Sequence, residues 1–572
     1  MGLGVVPDGQ ALGVLNPPDA LPRTISDGYV DALVELDPIV GTFLGVPGAS
    51  GALPDFSPDG RQALAELAHS TLAQLTAAEQ APGADSEVER RCAALLKERL
   101  GAELAQFEAG EHLCAVDNLS SPLHQVRKVF SLMPVATEED WRAVARRLNA
   151  VPAALTGYRA SLGAGARQGL LAAPRQVAEN IAQMDEWLGT GGFGRLAAGA
   201  PEEAPRTEVE TAARLATGAV AELRDWFAQV YAGLADGRPD AVGGERYARF
   251  ARMYTGAEVD PHEAYGYGWS EFHRLLAEMR AEAGRIRPGA DDPWEVLAWL
   301  DRHGHAVEGV EETRLWLQTF MEEAVEALDG TYFDLADPVR RVESRIAPPG
   351  GAAAPYYTQP SLDFSRPGRT WLPALGRTRF PTHHLVSTWY HEGVPGHHLQ
   401  LAHWTVVAGS LSRYQTKVGK ISATTEGWAL YAERLMDELG FYTEPQDRLG
   451  HLDAQMMRAL RVMVDLGMHL RLEIPAHSPF AAGQRWTPAL AREFLGRHSG
   501  RPPAYLDSEI VRYLGRPAQA ITYKLGERAW LQGRETARAK QGSHFRLKRW
   551  HMAALSLGSL GLDDLREELG RL

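Results

Sequence analysis

The chain has 572 residues, of which 45% are hydrophobic, and a formal net charge of −14. Its length allows several domains or one large multi-lobed unit with a sizeable buried core. The acidic balance, with no basic stripe carrying interleaved aromatics, argues against a nucleic-acid partner, and only two cysteines, Cys92 and Cys114, exclude a disulfide framework or a Cys-rich zinc module.

Residues 1–23 are rich in Gly and Pro and read as an irregular arm. The first eight residues lack a basic stretch followed by an apolar run, so no secretory signal is expected there. With no apolar stretch near the ~20 residues of a membrane span, the expected location is the cytoplasm and no membrane partner is expected. From Ile25 the pattern becomes helical. Ser57-Pro58-Asp59-Gly60 opens one helix, and residues 87–108, 137–149, 172–188 and 206–234 read as amphipathic helices rich in Ala, Leu, Glu and Arg. Residues 261–285, 292–303 and 311–328 continue the pattern. This gives a helical lobe over 24–338.

At about 339–380 the texture changes. Segments 342–346, 354–357 and 368–373 are short, with Pro, Thr and aromatics, and predict a small set of strands. Helices resume near 382. The second lobe, 339–572, is expected to pack intimately on the first and to carry the chemistry. The fold class is mainly α with one small sheet just before the most informative motif.

That motif is Tyr390-His391-Glu392-Gly393-Val394-Pro395-Gly396-His397-His398. His followed by Glu, with a further His nearby, supplies two metal ligands and a general base. The usual spacing is H-E-x-x-H on one helix. Here the position where the second ligand belongs is Pro395. On a regular helix His397 lies six residues beyond His391, about 9 Å along the axis, too far for one ion. Pro395 and Gly396 can break the helix so that His397 swings in, with His398 as the rival ligand. Glu392 is placed to abstract a proton from water.

A second helix follows at Thr425-Glu426-Gly427-Trp428-Ala429-Leu430-Tyr431-Ala432-Glu433. Glu426 and Glu433, seven apart, share a face. Glu426 is the candidate third ligand, and Glu433 the candidate hydrogen-bond acceptor behind a ligating imidazole. Two further clusters are candidates for the site. Arg461, Asp465 and His469 recur at i, i+4 and i+8 on one helix face, which equally fits a salt-bridged stripe. Tyr523 can donate to an oxyanion. Lys524, Arg366 and Arg512 are candidates for gripping a substrate carboxylate, and the strand at Arg369-Thr370-Trp371 for pairing with an extended substrate.

These residues resemble the bacterial family known as domain of unknown function 885. Its pattern runs H-E-x-x-P-G-H-H-x-Q, E-G-W-A-x-Y-x-E, R-x-x-x-D-x-G-x-H and P-x-Q-A-x-x-Y-x-x-G. The chain matches at His391 to Gln400, Glu426 to Glu433, Arg461 to His469 and Pro517 to Gly526. Residues 354–357, 360–368 and 53–58 also match, and the likeness runs from about residue 24 to the C-terminus. The family is weakly similar to α-helical gluzincins such as carboxypeptidase Taq, thimet oligopeptidase and angiotensin-converting enzyme. Dipeptidyl peptidase III carries one extra residue between its two His; this chain carries two.

The resemblance implies a gluzincin-like helical body with a deep cleft and a zinc-dependent hydrolase acting on a short peptide or small amide. His391, His397 and Glu426 would hold the metal, with Glu392 as base and Tyr523 at the oxyanion. The alternatives are a metal-free binding protein on a decayed peptidase scaffold, expected to hold the two imidazoles apart, and a non-haem metal enzyme acting on a small metabolite.

Overall fold

The computed structural model describes residues 20–46, 48–79, 81–348 and 354–572. Most of the expected arm lies outside the described residues. Its end is helical instead: Pro22 opens the helix Pro22–Leu36, because proline is preset for a first helical turn and its missing N–H is not needed there.

The protein is mainly helical with a small sheet. Ser57 caps Pro58–Ala78 by accepting from the Gly60 N–H. The 87–108 reading coincides with Glu87–Glu108. The 137–149 reading stops short, since the helix runs Glu138–Arg167 straight through Pro152. A Thr137–Asp140 capping box starts it. Its buried face then continues past the proline through Leu155, Tyr158 and Leu162, and that packing outweighs the lost hydrogen bond. This face packs with Val209, Ala213, Ala216 and Val220 of Arg206–Trp226 in one core cluster. The larger core draws Val30, Leu95 and Leu96 together with Trp428, Tyr431, Leu460 and Leu565, so it runs across residue 338.

Five strands are present among the described residues. β1 (Ala306–Glu308) pairs antiparallel with β5 (Arg379–Pro381). β2 (Val342–Ile346), β3 (Tyr356–Thr358) and β4 (Gly368–Leu372) form a sheet in the order β2-β4-β3, parallel then antiparallel. β4 contains Arg369, Thr370 and Trp371 and is hydrogen-bonded on both sides. The expectation that it offers a free edge to substrate is therefore wrong: its backbone groups are already spent on β2 and β3.

Eight helices position the site. They are α1 (Pro293–His303), α2 (Val310–Leu328), α3 (Val386–Glu392), α4 (His397–Val406), α5 (Ser422–Glu438), α6 (Pro445–Leu470), α7 (Pro503–Gly515) and α8 (Thr522–Gln541). α6 is buried along nearly its whole length and packs on Pro261–Ile286 and on α3. α5 and α8 cross in close contact.

Candidate metal centre

The H-E-G-V-P-G-H segment folds as two helices, not one. α3 ends at Glu392, α4 begins at His397, and the Val394–Pro395 peptide between them is cis. Gly396 lies against the end of α3; a Cβ there would stand 2.0 Å from the His391 carbonyl oxygen and 2.3 Å from that of Tyr390. Only glycine permits that approach, and it folds His397 back over His391. The indole N–H of Trp428 on α5 donates to the carbonyls of Pro395 and Gly396, at 2.9 and 3.2 Å. The Pro395 carbonyl freed by the break thus finds a partner, and the Gly396 carbonyl gains a second beside the Gln400 N–H.

The two imidazoles meet edge to face, with ring centroids 4.7 Å apart. His391 Nε2 is 3.3 Å and His397 Nε2 is 3.5 Å from the same oxygen, Glu426 Oε2. Ligand atoms of the three residues all lie within 4.8 Å of one another. An ion held by ~2.0–2.2 Å bonds at tetrahedral angles spaces its ligands by roughly 3.3 Å, so the set fits a zinc-sized cation. The His397 and Glu426 side chains keep 13% and 22% of their surface exposed, which leaves an open side. Burial opposes charge on His391, but Glu426 and Glu433 outweigh it and push its pKa up to about 10. Burial likewise opposes charge on Glu426, and the two imidazoles hold it well below the usual carboxylate range.

Behind His391 lies fully buried Glu433. Its Oε1 is 2.7 Å from His391 Nδ1. A carboxylate only accepts, so Nδ1 carries the hydrogen, and Nε2 is the nitrogen whose lone pair would serve an ion held between His391, His397 and Glu426. Ser387 Oγ donates to Glu433 Oε2 at 2.7 Å, and Gln455 and His451 flank it. Glu433→Gln is expected to keep the fold and weaken zinc binding by about 10–100-fold, read by chelator competition.

α5 and α8 touch backbone to backbone at Gly427 and Gly526. A Cβ on Gly427 would stand 2.4 Å from Gly526 Cα. This crossing places Glu426 near Tyr523, three residues before Gly526. Burial raises the Tyr523 pKa, and the Glu426 charge adds to it. The Arg461 guanidinium stacks 4.9 Å from the centre of the Tyr523 ring. Gly427→Ala is expected to cost about 1–3 kcal/mol through overpacking and to lower the denaturation midpoint.

The model of the family described as bacterial protein of unknown function, DUF885, matches residues 38–569. The chain belongs to this family. No curated protein sequence matches it. The crystal structure of a candidate lipoprotein from Colwellia psychrerythraea is similar, with a TM-score of 0.83 at 20% identity, covering 96% of this chain and 98% of that one. A candidate lipoprotein of unknown function from Shewanella oneidensis gives 0.75 at 17% identity, covering 96% and 99%. Those likenesses establish a shared fold. Among the described residues no helix is long and apolar enough to cross a membrane.

Several sequence candidates in this DUF885 chain lie outside the cluster. His398 faces away: its Nε2 is 2.7 Å from the Val339 carbonyl and its Nδ1 3.0 Å from the Tyr357 hydroxyl, so neither nitrogen is free for an ion. Lys524 is wholly buried between Glu271, at 2.8 Å, and Glu527, with Gln455 at 3.1 Å. It follows Tyr523 directly, but the ~100° step of a helix turns it to another face, where its charge is taken up by these two carboxylates. Arg512 is occupied by Glu509 and Gln519. Asp465 accepts from the Tyr247 hydroxyl at 2.6 Å and from the Ala518 N–H at 2.9 Å, where Ala518 has φ 64°. It thereby fixes the turn that leads into α8. His469 Nε2 meets the Tyr513 carbonyl at 3.0 Å. Arg461 bonds Tyr513 and Glu509, so the i, i+4, i+8 stripe braces α7 and α8 while only Arg461 reaches a site residue.

Arg458 was not among the sequence candidates. Its charge acts on Glu392, Glu433 and Tyr523 together. Its Nη1 donates to its own-helix carbonyl of Ala454, its Nη2 is 3.8 Å from Glu433, and its Nε has no partner. The signal for it is the polar series His451, Gln455, Arg458 at i, i+4 and i+7, one face of a helix that is buried along nearly its whole length.

Proposed function

We propose that this DUF885 protein is a zinc-dependent hydrolase that cleaves a peptide or amide bond in a short peptide or small amino-acid conjugate. The observation that carries the reading is the convergence of His391 Nε2 and His397 Nε2 on Glu426 Oε2, with Glu433 fixing the His391 tautomer and Glu392 adjacent. His391, His397 and Glu426 would hold the ion, which when bound supplies Lewis-acid activation of water and of the scissile carbonyl. Another divalent metal on the same ligands is the variant of this reading.

Glu392 takes the proton from the attacking water and returns it to the leaving amine. Burial raises its pKa, which suits that exchange. Tyr523 donates to the developing oxyanion, and the charge of Arg458 supports it. Arg366 has no carboxylate partner among the described residues and lies near Arg369 and Tyr357. Tyr357 in turn touches His398, next to His397. With no carboxylate partner of its own, Arg366 would accept the terminal carboxylate of a short substrate, which would favour exopeptidase action. The gluzincin-like body and deep cleft belong to this proposal. So does a cytoplasmic location, supported by the two buried free thiols Cys92 and Cys114.

The decayed-scaffold alternative expects His391 and His397 held apart. Their approach to one carboxylate oxygen supports the hydrolase. An oxygenase on the same ligands is distinguished by metal identity, and adjacent Glu392 favours hydrolysis.

A panel of di- and tripeptides and aminoacyl amides, assayed with zinc-loaded and chelator-stripped protein, tests the function. Zinc-dependent release of an amine is expected; no turnover of any member by the loaded protein contradicts it. Tyr523→Phe is expected to lower kcat by about 10²–10³-fold with KM little changed, as for loss of one oxyanion donor.

A further inference from the structure

A second cluster of ligand-type atoms lies one short helix upstream of His391. Asp301, in the last turn of α1, meets two consecutive histidines of the turn between β5 and α3. Asp301 Oδ1 is 2.8 Å from His384 Nε2 and 3.2 Å from His383 Nε2. The two rings stand 4.1 Å apart between centroids. The His383 side chain is completely buried, and neither ring nitrogen makes a hydrogen bond among the described residues. Its Nε2 approaches Asp301 closely but off the line that a hydrogen bond requires.

A buried imidazole with both nitrogens unpaired is costly, because it has given up its hydrogen bonds to water without replacing them. Although Asp301 is half-buried and stands at the carbonyl end of a helix, the His383 and His384 imidazoles hold its carboxyl well below the usual carboxylate range, so it is an anionic ligand beside His383. One cation would take the lone pair of His383 and bind that carboxylate. The 3.2 Å from His383 Nε2 to Asp301 Oδ1 is close to the roughly 3.3 Å that tetrahedral coordination gives, and the 2.8 Å hydrogen bond between His384 and Asp301 would open slightly to admit the ion.

We propose that Asp301, His383 and His384 form a second site for a borderline divalent cation such as Zn²⁺. Two imidazoles and one carboxylate suit such ions. Asp301 and His384 are 48% and 34% exposed, so solvent completes the coordination. The site's role is to fasten elements together. The turn is already held by Thr382 Oγ1 donating to Asp447 and by close backbone contact of His383 with Gly450 on α6. A cation at Asp301 would tie α1 to the same turn, from which α3 carries His391 and Glu392 into place.

The test separates this site from the first. Zinc per chain is measured on the intact protein and on His384→Ala after dialysis against micromolar zinc. Loss of about one equivalent on substitution, with loss of a zinc-dependent rise in Tm, supports the site, whether the starting content is two or one. Equal zinc content in both proteins overturns it. The His391→Ala/His397→Ala double variant gives the converse: about one retained equivalent supports the second site, and less than ~0.2 overturns it. Asp301→Asn, which removes charge but not shape, is expected to weaken this zinc by at least ~10-fold in the double variant. A His391→Ala/His397→Ala protein that binds one zinc while the intact protein also binds only one places the failure on the first site.

Discussion

Glu392→Gln is expected to lower kcat/KM by about 10²–10⁴-fold while the protein keeps its metal. The amide preserves the shape of the carboxylate, so the ends of α3 and α4 have no reason to move. What it removes is the ability to take a proton from water and return it to the leaving amine. The loss corresponds to about 3–5 kcal/mol of transition-state stabilisation. Glu392 is the last residue of α3, directly after a candidate ligand, and it senses the charges of His391, His397, Glu426 and Arg458. Metal content is to be measured on the same preparation as turnover. Unchanged activity with full metal would remove Glu392 as the base.

His397→Ala is expected to have the larger effect. Two remaining ligands, His391 and Glu426, would not hold the ion at working concentrations, and hydrolysis is expected to fall by roughly 10³-fold or more with loss of the Lewis acid. The informative control is the neighbouring His398→Ala. Both nitrogens of His398 are committed to Val339 and Tyr357, so its loss is expected to leave metal content intact. It is instead expected to cost about 1–3 kcal/mol of stability, because the buried Val339 carbonyl loses its partner. If His398→Ala strips the metal and His397→Ala does not, the ligand assignment is reversed and the geometry of the break at Pro395 has been misread.

The parts of this fold that were legible are those governed by local pattern. Glu87–Glu108 and the strands at 342–346 and 368–372 follow from periodicity and composition. Glu426 and Glu433 follow from helical spacing, seven residues apart on one face. The break at Pro395-Gly396 was legible as a need, since one straight helix cannot bring both histidines to one ion. Its direction was not, because it depends on Trp428 bonding the freed carbonyls and on Gly396 lying against α3.

Residues whose roles depend on distant partners were the ones misjudged. His398 is fixed by Val339 and Tyr357, and Lys524 by Glu271; nothing near them in the chain announces these contacts. Arg458 takes its role from its surroundings: α6 is buried along nearly its whole length, which the residues next to Arg458 do not announce. The free edge expected at Arg369-Thr370-Trp371 disappeared because strand order is a tertiary fact; the central place of β4 is not written in its own residues.

The central claim is that His391, His397 and Glu426 hold one ion. A crystal of protein purified without chelator and supplied with zinc, measured on both sides of the zinc absorption edge, tests it most directly. The account predicts an anomalous peak ~2.0–2.2 Å from His391 Nε2, His397 Nε2 and Glu426 Oε2, with Glu433 still bonded to His391 Nδ1. An absence of anomalous density between these three residues at saturating zinc, with both imidazoles still paired to Glu426, would contradict it.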